Sequence, residues 1–183
     1  MNESNLDISF STADGKKACL RDFDAKVYLL VNVASKCGLT SQYEKLEKLF
    51  KKYKDKGILV VGFPANEFLS QEPGTDTEIQ EFCQLNYGVS FPVVSKIVVK
   101  GEGIHPLYEA LIHQKKQATK NKSSDLEERL SSKGLITGED HEIHWNFEKF
   151  LLDKKGKVVE RFFPDVDPMD GQLIQKLESL LEH

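Results

Sequence analysis

The chain has 183 residues, 39% hydrophobic and 30% charged, and carries a formal net charge of −4. Those values suit one globular domain, 1–183, with a sizeable core, and they lack the basic footprint of a nucleic-acid binder. No apolar run reaches membrane-spanning length, and the polar, acidic start Met1–Asp7 has neither the basic opening nor the apolar stretch of a secretion signal, so a cytoplasmic protein is expected.

Ile8-Ser9-Phe10 and Lys17-Ala18-Cys19-Leu20 flank Ala13-Asp14-Gly15-Lys16, the pattern of an N-terminal β-hairpin. Val27–Ser35 is a continuous apolar run of strand length, as expected of a strand buried on both faces. Leu39, Tyr43, Leu46, Leu49, Phe50 and Tyr53 then recur at helical spacing. Cys37 falls at the turn between them, where the first turn of the helix would offer unpaired N–H groups to a thiolate. Position alone leaves two roles open for it, an activated thiol or a small buried one.

Ile58–Phe63 reads as a second buried strand, so strand, helix and strand form a βαβ unit with parallel neighbours. Pro64–Gly74 is a loop by its Pro and Gly content, placed where open α/β sheets carry their sites. Thr75 and Glu78 form a capping box for a helix to about Tyr87, with Ile79, Phe82 and Cys83 on one face. Phe91–Val94 and Ile97–Val99 read as extended, and Pro106 opens a further helix.

Residues 114–138 are polar and charged and read as a surface insertion with a short helix at its middle, either a solvated loop or a contact between subunits. Glu142–Leu152 is expected as a strand, turned by Asp153–Gly156 into Lys157–Phe163 as a second hairpin. A last helix spans about Asp167–Leu181. The order implies an α/β protein with a mixed central sheet flanked by helices, and a cysteine at the end of the first buried strand points to a thioredoxin-like fold.

The cysteines are Cys19, Cys37 and Cys83, odd in number and without a C-x-x-C pair. That excludes a secreted disulfide framework, a zinc ribbon and the ordinary dithiol motif. His141 and His144 lack a third ligand at metal-site spacing, so no metal is expected.

Four motifs in order carry a resemblance: Val31-Asn-Val-Ala-Ser-Lys-Cys-Gly38, Gly62-Phe-Pro-x-Asn66, Gln71-Glu-Pro-Gly74 and Trp145-Asn-Phe-Glu-Lys-Phe150. They resemble the glutathione peroxidases in their cysteine-containing, non-selenium form. Glu81–Val89, with Cys83 inside it, is similar to the two-cysteine members of that family. The resemblance implies a catalytic tetrad of Cys37, Gln71, Trp145 and Asn146, with Cys83 as the resolving cysteine. It implies hydrogen peroxide and organic hydroperoxides as substrates, no cofactor, and thioredoxin or glutathione as the reducing co-substrate, with thioredoxin favoured. Two positions depart from the family pattern: Ala65 and Glu67 stand where members commonly have Cys and Gln. Segment 114–138 falls where tetrameric members carry an interface loop, which makes it the candidate contact of a homo-oligomer.

The chemistry fits these residue types. A Cys37 thiolate would attack the O–O bond, and the neutral N–H donors of Gln71, Trp145 and Asn146 would favour the thiolate and the leaving oxygen. Cys83 would condense with the resulting sulfenic acid. The competing expectation is a peroxide sensor that passes oxidation from Cys37 to a partner protein. A general thiol–disulfide oxidoreductase is disfavoured by the missing C-x-x-C, and a non-catalytic module by the intact tetrad.

Overall fold

The computed structural model describes residues 3–183; Met1 and Asn2, the first residues of the acidic start, lie outside them. The N-terminal hairpin is present but short. β1 (Phe10–Ser11) pairs antiparallel with β2 (Lys17–Ala18), Phe10 opposite Ala18. Cys19 lies just beyond the second arm, at the head of a 3₁₀ turn over Leu20–Phe23.

β3 (Val27–Val33) has every residue buried, as a near-continuous Val/Leu run requires of a central strand. α1 (Gln42–Tyr53) lays Tyr43, Leu46, Leu49 and Tyr53 on the sheet. β4 (Ile58–Pro64) runs parallel to β3, Val27 opposite Ile58 and Val33 opposite Pro64. α2 (Asp76–Tyr87) opens on the reciprocal Thr75–Glu78 cap and closes on Gly88, whose φ of 56° is the left-handed turn that glycine adopts without strain. The extended segment after it touches the outer edge of β4 through one bridge, Gly62 to Val93. α3 (Pro106–Gln114) begins on proline, where the absent N–H costs nothing. α4 (Leu126–Ser132) lies within 114–138 and turns Leu126 and Leu130 inward.

β5 (Lys149–Leu152) pairs antiparallel with β3, and β6 (Val158–Phe162) with β5. α5 (Gly171–Leu181) buries Leu173 and Leu177. The sheet order is β4-β3-β5-β6, a mixed sheet with β3 near its centre. It is the thioredoxin-like arrangement expected from the element order.

Two expectations are corrected. Glu142–Leu152 is not one strand: pairing begins only at Lys149, because Phe147 takes a left-handed backbone (φ 70°) that breaks the ladder. The helix after Cys37 begins at Gln42 rather than Leu39. Residues between them form tight turns, with Gln42 N–H donating to Leu39 O and Tyr43 N–H to Thr40 O.

Candidate active site

Cys37 sits on the turn that leaves the carboxyl end of β3. Thr40 shapes that turn. Its Oγ1 accepts from the Cys37 N–H at 3.0 Å and donates to Ala34 O at 2.8 Å. Because α1 starts later, Cys37 is not in its first turn, and the donor it receives is local: the Leu39 N–H reaches Sγ at 3.3 Å. Burial pushes the Cys37 thiol up, and three donors oppose this in falling order, the Leu39 N–H, the Asn146 amide and the Trp145 indole N–H. The expected placement of Cys37 at the first turn of the helix is therefore corrected: its sulfur takes a local N–H from the turn, and burial acts against its ionisation.

Trp145 and Asn146 arrive from the segment before β5. Asn32, fully buried in β3, fixes them. Its Nδ2 donates to Trp145 O at 3.0 Å, and its own carbonyl accepts the Phe147 N–H at 2.6 Å. The left-handed Phe147 is what lets the chain turn back between these two bonds. Behind it, Lys149 is fully buried and donates Nζ to Phe147 O at 2.7 Å and Pro164 O at 3.0 Å. Burial lowers the Lys149 pKa to about 7. Arg161, also fully buried, donates Nε to Glu148 Oε1 at 3.2 Å and its terminal nitrogens to the carbonyls of Lys115, Lys116, His141 and Glu142. It ties both flanks of the 114–138 segment to the turn that holds Trp145 and Asn146. The Trp145 ring rests on Phe68, centroids 5.5 Å apart.

Gln71 comes from the loop after β4. Leu69 and Ser70 before it both have left-handed backbones, φ 54° and 52°. Strain of this kind costs on the order of 1 kcal/mol per residue and persists where other contacts enforce it. Here Asn66 Oδ1 accepts the Glu72 N–H at 2.9 Å, and the Lys36 N–H donates to Gln71 O at 2.9 Å. The Gln71 side chain meets Asn146, whose Nδ2 donates to Gln71 Oε1 at 2.9 Å. Gln71 thus bears on Cys37 through Asn146.

Glu67, the departure closest to the site in sequence, turns elsewhere: its carboxylate accepts the N–H groups of Asn66 at 3.0 Å and Val99 at 2.5 Å. Ala65 is buried in the core. Cys83 lies on the inner face of α2, only 2% exposed, and burial raises its thiol to about 11. Its neighbours are Tyr43 and Glu72, whereas those of Cys37 are Leu39, Asn146 and Trp145. All three cysteines are free thiols. Among the described residues, no three His, Cys, Asp or Glu side chains gather as a metal site, and no helix is long and apolar enough to cross a membrane.

Sequence reasoning gave no role to Asn32, Thr40, Lys149 or Arg161. A signal did exist for Asn32: a polar residue inside an all-apolar strand must find a buried partner.

The glutathione peroxidase family model matches residues 6–112. The chain is 46% identical over 181 residues to the thioredoxin/glutathione peroxidase BtuE of Escherichia coli, covering 99% of each. It is 45% identical over 181 residues to the glutathione peroxidase-like peroxiredoxin 2 of Saccharomyces cerevisiae, again 99% of each. Among solved structures it is similar to Trgpx in its apo form, with a TM-score of 0.71 and 29% identity over 100% of this chain and 98% of that one.

Proposed function

The chain belongs to the glutathione peroxidase family, and from that premise we propose a two-cysteine cycle in which Cys37 is the peroxidatic thiol and Cys83 the resolving one. The protein is a thiol peroxidase. What supports the assignment of Cys37 is its place at the carboxyl end of β3 with the Leu39 N–H 3.3 Å from its sulfur, and the Asn146 amide and Trp145 indole near enough to oppose the rise of its pKa.

The Cys37 thiolate attacks one oxygen of the hydroperoxide and breaks the O–O bond. Cys37 becomes a sulfenic acid, and the departing alkoxide or hydroxide takes a proton to leave as alcohol or water. The Asn146 amide and Trp145 indole N–H lower the free energy of the thiolate and of the charge growing on oxygen, and Gln71 holds the Asn146 amide in place. The Cys83 thiol then displaces the sulfenic hydroxyl, giving a disulfide and water. Because Cys83 is buried on the inner face of α2, the proposed cycle has part of α2 unwind to bring the two sulfurs within bonding distance. Two electrons from a dithiol restore both thiols.

Thioredoxin is the proposed donor, and glutathione the weaker one. A protein disulfide is thioredoxin's kind of substrate, and the name of the Escherichia coli relative carries both reductants. Three free thiols fit a reducing compartment such as the cytoplasm.

The test is hydroperoxide-dependent NADPH consumption, with thioredoxin and its reductase or with glutathione and its reductase, for wild type and Cys83→Ser. Turnover with thioredoxin that Cys83→Ser abolishes is expected. Glutathione turnover indifferent to Cys83→Ser would replace the scheme with a one-cysteine cycle.

A further inference from the structure

Glu72 follows Gln71 but has no part in the peroxide step. It is 1% exposed, and its Oε2 has no hydrogen-bond partner. A buried carboxylate oxygen left unpaired is costly, and such a group calls for an explanation. Its place in the fold offers one. The Lys36 N–H to Gln71 O bond sets the Gln71–Glu72 backbone beside the Lys36–Cys37 backbone. The Ser35 hydroxyl and N–H face the carboxylate from that side, although Ser35 Oγ also completes no hydrogen bond. On the other side the carboxylate is close enough to Tyr43 and Cys83 to raise both of their pKa values. A cavity of about 370 Å³ opens over it, bounded by Ser35 and Lys36 on one wall and by Glu78, Ile79 and Phe82 of α2 on the other. Glu72 therefore lies between the Ser35–Lys36 backbone that leads into Cys37 and the helix α2 that carries Cys83, at the edge of this cavity.

Resting on the reading of Cys83 as the resolving thiol, we propose that Glu72 is the proton acceptor of the disulfide-forming step. The Cys83 sulfur bonds to the Cys37 sulfur as the S–O bond of the sulfenic acid breaks. The Cys83 proton passes to the Glu72 carboxylate. The departing hydroxyl leaves as water with a proton returned by Glu72 or taken from solvent, and the sum is thiol plus sulfenic acid giving disulfide plus water. The need is physical: burial in α2 holds the Cys83 thiol protonated, an unwound cysteine with an ordinary pKa of about 8.5 is still mostly protonated at neutral pH, and the protonated thiol is not the nucleophile. Burial raises the Glu72 carboxyl above the usual carboxylate range, and Ser35, Lys96 and Lys36 oppose that rise. A carboxylate shifted upward is a better base for a thiol than an ordinary one.

The experiment uses the full chain, reduced and mixed with one equivalent of hydrogen peroxide. Peroxide loss reports Cys37 oxidation. Dimedone trapping of the sulfenic acid and mass analysis of the Cys37–Cys83 peptide report disulfide formation. Both are followed from pH 5 to 10 in wild type, Glu72→Gln and Glu72→Asp. The wild-type disulfide rate is expected to rise as Glu72 ionises and then level off while Cys83 is still protonated. Glu72→Gln is expected to slow disulfide formation about 100-fold more than peroxide loss at pH 7, and to replace the plateau with a rise of about tenfold per pH unit that follows the Cys83 thiolate. Glu72→Asp is expected to recover part of the rate and the plateau.

Equal disulfide rates and pH profiles in wild type and Glu72→Gln would overturn the proposal. So would equal slowing of both steps, which would make Glu72 a support for the whole loop. If Glu72→Gln does not fold, a wild-type disulfide rate that climbs tenfold per unit across the range, with no plateau, overturns it as well. Absence of any Cys37–Cys83 disulfide in wild type would instead remove the premise, and the proposal with it.

Discussion

Replacing Asn146 by Ala removes an amide that opposes the rise of the Cys37 pKa and leaves Gln71 Oε1 without its 2.9 Å partner. The two losses differ in size. A neutral donor aimed at developing charge in a water-poor site is worth about 3 kcal/mol, or roughly 150-fold in rate. The lost Asn146–Gln71 bond costs about 1 kcal/mol of stability, since Gln71 is only half buried and its oxygen can turn to water. Asn146→Ala should therefore stay folded while peroxide reduction falls on the order of 100-fold.

The fall has two sources, and pH separates them. Burial already raises the Cys37 thiol, and Asn146 counters that rise, so the variant's thiol titrates higher still. Below the thiol pKa the oxidation rate climbs with pH in both proteins, and the part of the defect due to fewer thiolates vanishes at high pH. The part due to weaker stabilisation of the leaving oxygen remains. Stopped-flow peroxide loss between pH 6 and 10, paired with the pH dependence of Cys37 alkylation, reads both. A variant within threefold of wild type across the range, with an unmoved alkylation profile, would refute the donor role of Asn146.

Lys149 predicts a slope in stability: with its native pKa lowered to about 7, the unfolded chain alone holds that proton from there to about pH 10. Stability should therefore gain up to about 1.4 kcal/mol per pH unit from this residue across that window, and Lys149→Met should flatten the slope in urea unfolding at pH 7, 8 and 9; parallel curves would reject the assignment. Leu130→Ala empties a buried position of α4 and should cost about 2 to 3 kcal/mol, lowering the melting temperature by about 5 to 10 °C; a change under about 1 °C would mean that α4 is not packed on the core. The buried Glu47 carboxylate of α1 accepts the Ser90 N–H at 2.9 Å and the Ser90 hydroxyl at 2.7 Å, anchoring the chain just past α2. Ser90→Ala should speed disulfide formation several-fold by easing the unwinding of α2, at about 1 kcal/mol of stability; an unchanged rate would show that this end of α2 stays put.

Much of the scaffold was legible because local patterns report burial. The Val27–Ser35 and Ile58–Phe63 runs read as buried strands, and Thr75 with Glu78 marked the start of α2. The Glu142–Leu152 reading failed at one residue. Aromatic and aliphatic side chains raised strand propensity, but the left-handed Phe147 that breaks the strand is held by Asn32, over a hundred residues away in the sequence, with Lys149 bracing its carbonyl.

The residue types of the site are legible along the chain: a thiol beyond a buried strand, and amide and indole groups in motifs of a recognisable order. How they act depends on the packing of distant segments. The antiparallel register of β5 on β3, Tyr28 opposite Leu152 and Val31 opposite Lys149, brings Trp145 and Asn146 to the carboxyl end of β3, where Cys37 begins its turn. Burial then sets the thiol against its donors, hands Gln71 to Asn146 and Glu67 to Val99, and encloses Glu72 and Cys83 beneath α2. Residue chemistry is local and can be read along the chain. Desolvation and hydrogen-bond partnership depend on which distant segments fill the same space.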